Sequence, residues 1–218
     1  MDRLEEITRR LRGVTRRDGG DTGAPVVVVS GAPRSGTSLM MQMLEAGGIA
    51  PLADDARPPD AGNPRGYYEL EAVKRLPADA GWLARAPGRA VKVIHALAPR
   101  LPEGPRYRVL WMERDLDEVV RSQRALLETL GRPPEDDLAD ARAAEILAQQ
   151  LAEAAAALDA RGDVRRIAVS HARLLAEPGP SVARIAAFLG VPLDLSAMAA
   201  AVDPALHRVR SEGASGRR

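Results

Sequence analysis

Apolar and polar positions along the chain follow two alternating rhythms. Residues 24–30 (APVVVVS) form an unbroken β-branched run, the pattern of a strand covered on both faces within a parallel sheet. The run passes directly into GAPRSGTS and then LMMQMLEAGG, a Gly-containing turn leading into a helix that ends at Gly47 and Gly48. Further strand patterns lie at 90–94, 107–112 and 166–170, separated by helical stretches. Strands alternating with helices predict an α/β fold: a parallel sheet flanked by helices on both faces.

Outside that core, Leu4, Ile7, Leu11 and Val14 recur at helical spacing and predict a short amphipathic helix, broken by the Gly-rich run at 19–23. Residues 133–160 open with PPEDD and carry Leu138, Leu147, Leu151 and Leu158, which predicts a long amphipathic helix with acids in its first turn. Residues 51–66 (PLADDARPPDAGNPRG) show no periodicity and are dense in Pro, Gly and Asp. A loop of that length and composition is a candidate substrate flap. The expected organisation is a single domain over 1–218 with its core at about 24–210. An N-terminal helix and linker (1–23) precede it and a polar tail (211–218) follows.

Composition narrows the function classes. With 218 residues, 45% of them apolar, the chain can bury one full core. It has no cysteine, and His95, His171 and His207 are too scattered for a zinc motif, so no metal is expected. Lys and Arg number 31 against 30 for Asp and Glu, leaving no bulk charge to hold nucleic acid or an anionic membrane. Two Trp, three Tyr and one Phe are too few for a base-stacking platform. The opening MDRLEEITRRLRG lacks an apolar signal core, and no run reaches the roughly 18 apolar residues of a membrane span, so a cytoplasmic protein is expected. The sequence does not indicate an oligomeric state.

The chemistry-bearing pattern is Gly31-Ala32-Pro33-Arg34-Ser35-Gly36-Thr37-Ser38, set between a strand and a helix. In that layout backbone N–H groups and the positive helix end cradle a phosphate. Thr37 stands where a nucleoside triphosphatase loop carries its Lys, and Arg34 is the loop's sole cation. Residues 107–123 (YRVLWMERDLDEVVRSQ) are a second strand-to-helix turn. Arg114 lies outside the strand's carboxyl end, where ligands gather in open α/β sheets, and Ser122 follows eight residues later. Asp115 with Glu118 can also cap the helix start.

PRSGTS resembles the phosphosulfate loop of the sulfotransferase superfamily, P-[KR]-S-G-T-[ST], at every position. The resemblance implies a P-loop NTPase-like fold and 3′-phosphoadenosine 5′-phosphosulfate (PAPS) as the sulfuryl source, leaving adenosine 3′,5′-bisphosphate. Arg34 would approach the bridging oxygen, while Ser35, Gly36, Thr37 and Ser38 would bind the 5′-phosphate. Arg114 and Ser122 are similar in type and separation to the family's 3′-phosphate site. NPRGYYE resembles bacterial members and makes Glu69 the candidate base, with Glu71 second. RAVKVIHAL resembles the K-x-H strand end of another branch, implying Lys92 as charge stabiliser and His95 as base. Here the two are three apart rather than two, so a regular strand would send them to opposite sides. Ser170-His171 occupies the place of a family Tyr-Glu pair, and Arg208 and Arg210 could add positive charge near the 3′-phosphate. A small-molecule acceptor is expected. A P-loop nucleotide kinase or hydrolase and a non-catalytic bisphosphate-binding regulator are the alternatives.

Overall fold

The computed structural model describes residues 23–54, 66–131 and 139–202. The helix expected at 4–14, most of the 51–66 loop, the start of the 133–160 segment, Arg208, Arg210 and the polar tail lie outside them.

Four parallel strands form one sheet: β1 (Val26–Gly31), β2 (Ala90–Lys92), β3 (Tyr107–Glu113) and β4 (Val164–Ser170), in the order β2-β1-β3-β4. All six residues of β1 are buried, because β1 is paired on both edges and covered on both faces. The consecutive valines therefore face two different cores. Val27 and Val29 pack with α1 (Thr37–Ala46), α5 (Pro178–Leu189) and α6 (Leu195–Ala200). Val26 and Val28 pack with Tyr107, Val109 and Trp111, with α3 (Asp140–Asp159) and with short 3-10 turns at Glu71–Arg75 and Gly81–Arg85. Helices thus lie on both faces of a parallel sheet, as the strand-helix alternation requires.

α2 (Leu116–Thr129) leaves the carboxyl end of β3 and packs on α3. A small cluster of Ala32, Val119 and Leu147 seats it against the β1–α1 turn. Among the described residues no helix is long and apolar enough to cross a membrane. The strand expected at 90–94 ends at Lys92, yet Val93 and His95 still donate their N–H groups to the carbonyls of Val29 and Gly31. The chain thus follows the β1 edge for three residues past the last formal ladder pair. The helix α4 (His171–Ala176) follows β4 directly, capped by the Ser170 hydroxyl.

Candidate phosphate-binding site

β1 stops at Gly31, and the chain must reverse into α1 within five residues. Gly36 makes the last step, with φ 97°, and a Cβ there would stand 2.5 Å from His171 Cδ2. A side chain at position 36 would be strained by the backbone conformation and would displace His171. Gly36 is also the N-cap of α1 and supplies no capping side chain, so the N–H groups of the helix's first turn have no side-chain cap. The arrangement suits an anion at the positive helix end. α1 is anchored from below by Met40, Met41, Met43 and Leu44. Each is fully buried and contributes roughly 1.5–3 kcal/mol relative to exposure.

Ser35 is buried and folds the loop on itself: its N–H and its hydroxyl both donate to the Ala32 carbonyl, at 3.1 and 2.7 Å. Arg34 has φ 74°, a left-handed conformation that costs a non-glycine residue about 1–2 kcal/mol. The β3–α2 turn and the second turn of α2 hold it there. Arg34 Nε donates to Ser122 Oγ at 3.0 Å, Arg114 Nη1 donates to the Arg34 carbonyl at 3.0 Å, and Gln123 Nε2 donates to the Pro33 carbonyl at 3.0 Å. The two loops that the sequence separates by some 80 residues therefore form one unit.

Arg114 is braced in turn by Glu118, with Nε 2.9 Å from Oε2 and both side chains nearly buried. Asp115 caps α2 by accepting the Glu118 N–H at 2.9 Å, so helix capping and the Arg114 contacts coexist on adjacent residues.

Lys92 and His95 have different surroundings. Lys92 Nζ donates to Ser38 Oγ at 3.2 Å, at the start of α1, and to the Tyr67 carbonyl at 3.0 Å. His95 is buried, and neither ring nitrogen has a hydrogen-bond partner among the described residues. Glu69 lies two residues beyond Tyr67. Its carbonyl accepts the Asp54 N–H at 2.9 Å, and its carboxylate is 3.7 Å from Lys74. Lys74 also pairs with Glu71 at 2.8 Å, and that hydrogen bond, with Glu69 adding its charge, holds the Lys74 ammonium above its usual range. The geometry thus joins Arg34, Ser122 and Arg114, and separately Lys92 and Ser38.

Three participants take roles that the sequence does not signal. Gln123 is an ordinary helix residue until the fold sets it against the loop, Glu118 is marked in the sequence only as part of a helix cap and not as the partner of Arg114, and the approach of His171 to Gly36 is seen only in the fold. Beside the loop, a cleft of about 450 Å³ is lined by Ser35, Trp111, Glu113, Arg114, Leu151 and Arg166 among others. The Arg166 guanidinium lies 5.5 Å from the Trp111 ring centroid and pairs with Asp159, whose carboxyl that hydrogen bond holds below its usual range.

Comparison with known proteins bears on the family and the fold. The family model described as "Sulfotransferase family" matches residues 68–195, more than half of the chain. The match includes Glu69, Lys92, His95, Arg114 and Ser122 and begins after the Gly31–Ser38 loop. A sulfotransferase crystal structure from Mycobacterium tuberculosis H37Rv is similar at a TM-score of 0.52, with 18% identity over 90% of this chain and 75% of that one. The sulfotransferase domain of the Synechococcus PCC 7002 olefin synthase is similar at 0.50, with 16% identity over 84% of this chain and 78% of that one. At those identities the likeness is one of fold, a P-loop NTPase-like α/β sheet. No curated protein matches the chain in sequence.

Proposed function

We propose that this chain, which belongs to the sulfotransferase family, transfers a sulfuryl group from PAPS to the hydroxyl or amine of a small acceptor. The observation that carries this reading is the junction of the two phosphate loops, where Arg34 meets Ser122 and Arg114 meets the Arg34 backbone. A ligand with phosphates at both ends of a nucleoside needs two anion sites at a set distance, and a junction of this kind keeps that distance constant. The crowded, side-chain-free Gly36 and the uncapped start of α1 fit the 5′-phosphosulfate end. Arg114 and Ser122 fit the 3′-phosphate.

Transfer forms a bond between acceptor oxygen or nitrogen and sulfur, breaks the bridging S–O bond and leaves adenosine 3′,5′-bisphosphate. The chain's part is to hold charge and geometry ready. Arg34, Lys92 and the α1 N–H groups stand where negative charge would build on the departing phosphate, and prepositioned cations and N–H groups are the most effective form of such stabilisation. Glu69 is the candidate base for the acceptor proton, supported by its place next to the segment whose Tyr67 carbonyl holds Lys92. His95 is the alternative, supported by its buried ring without partners among the described residues. The cleft beside Ser35 and Arg114 falls within the roughly 300–1,000 Å³ of small-molecule sites, which supports a small acceptor.

Calorimetry with adenosine 3′,5′-bisphosphate and with ATP, each with and without Mg²⁺, tests the reading. Tighter binding of the bisphosphate is expected, together with sulfuryl release from radiolabelled PAPS. Tighter binding of ATP with Mg²⁺-dependent turnover would mean a kinase or hydrolase instead. Bisphosphate binding without transfer to any acceptor or to water would mean a regulator.

A further inference from the structure

Two consecutive carbonyls of the phosphate loop are held by α2 and by the turn that leads into it from β3. Gln123 takes Pro33 and Arg114 takes Arg34, while Ser122, next to Gln123, takes the Arg34 side chain. The Pro33–Arg34 peptide is trans, and a trans peptide points its N–H opposite its C=O. Fixing the Pro33 carbonyl against α2 therefore sets the direction of the Arg34 N–H, and it does so just before the left-handed turn at Arg34. Ser122 and Gln123 together grip the side chain and the preceding backbone plane of the same residue. Rotation of that plane would carry the Arg34 guanidinium and the loop's N–H groups out of register with the start of α1.

We propose that Gln123 is a positioning residue for the 5′-phosphosulfate: through the Pro33 carbonyl it sets the loop geometry that the 5′-phosphate meets. The proposal rests on the PAPS reading and adds a residue which that reading does not require.

The test compares adenosine 3′,5′-bisphosphate with adenosine 3′-monophosphate, since the difference between their affinities isolates what the 5′-phosphate gains from the loop. Gln123→Met keeps the side-chain length and removes the N–H, whereas Gln123→His restores an N–H at similar reach. For Gln123→Met, the bisphosphate Kd is expected to rise about 3- to 10-fold, the range for one neutral hydrogen bond, with the monophosphate Kd unchanged. Gln123→His is expected to recover the parent difference. A merely structural role would weaken both ligands together and lower the melting temperature, and that result overturns the proposal. So does a Gln123→Met variant that keeps the full 5′-phosphate gain. A parent protein that binds neither ligand overturns the PAPS reading, and this proposal with it.

Discussion

Replacing Arg114 with Met separates two effects that the structure joins at one guanidinium. The first is stability. Arg114 Nε lies 2.9 Å from Glu118, whose side chain is 8% exposed, so removing the guanidinium takes a cation away from a buried carboxylate. Breaking one side of a buried pair costs about 3–5 kcal/mol. Taking the lower end because the pair sits at a site mouth, and about 2–4 °C per kcal/mol for a chain of this size, the melting temperature should fall by roughly 6–12 °C. Adding Glu118→Gln should recover much of that loss, since a neutral amide is far cheaper to leave buried. The second effect is on binding. Losing a charge-assisted contact worth about 1.5–3 kcal/mol should weaken adenosine 3′,5′-bisphosphate roughly 10- to 100-fold. The 5′-AMP affinity should drop only a few-fold, through the lost bond to the Arg34 carbonyl. Calorimetry with both ligands, on Arg114→Met with and without Glu118→Gln, reads the ratio. Two results would refute the reasoning: equal affinity of the parent for the two ligands, or a ratio that survives the substitution.

Arg34→Ala should depress the turnover number more than the affinity for PAPS, because a cation at the bridging oxygen meets most of its charge only as the S–O bond breaks; single-turnover kinetics would detect the contrary pattern, a normal rate with weaker binding. Glu69→Gln should slow transfer by about 10²- to 10⁴-fold if Glu69 takes the acceptor proton, and His95→Asn much less; the reverse order in the same assay would move the role to His95. Gly36→Ala should abolish measurable bisphosphate binding and lower the melting temperature, since it combines φ 97° with a 2.5 Å approach to His171. His171→Ala in that background should restore part of the stability by opening the space. Tyr107, whose hydroxyl donates to the Pro102 carbonyl, has its pKa pushed up to about 12 by burial. A phenol harder to ionise in the fold than in the unfolded chain stabilises below the unfolded pKa near 10 and loses that contribution as pH rises toward 12. Parent and Tyr107→Phe melting curves should therefore converge over that pH window, and curves that stay parallel would contradict the assignment.

The strands and their order of appearance follow from local pattern alone. Four consecutive valines, with no polar alternation, can be buried only if both faces of the strand are covered, which demands a parallel sheet between helices. Gly31 and Gly36 bound a turn that the strand and the following amphipathic run force to be short. The capping of α2 by Asp115 was legible for the same reason, because a cap is a contact between residues three apart. What local pattern could not supply is partnership between distant side chains. Lys92 illustrates this: that it would reach Ser38, 54 residues away, depends on the register of β2 against β1. The meeting of Arg34 with Ser122 across 88 residues, the seat of Gln123 on Pro33 and the ring of His171 against Gly36 depend likewise on how α2 and α4 leave their strands. Periodicity records which face of an element is apolar, a property of neighbours in the chain. A binding site is made by elements brought together through packing, and the side chains that complete it need have no pattern of their own.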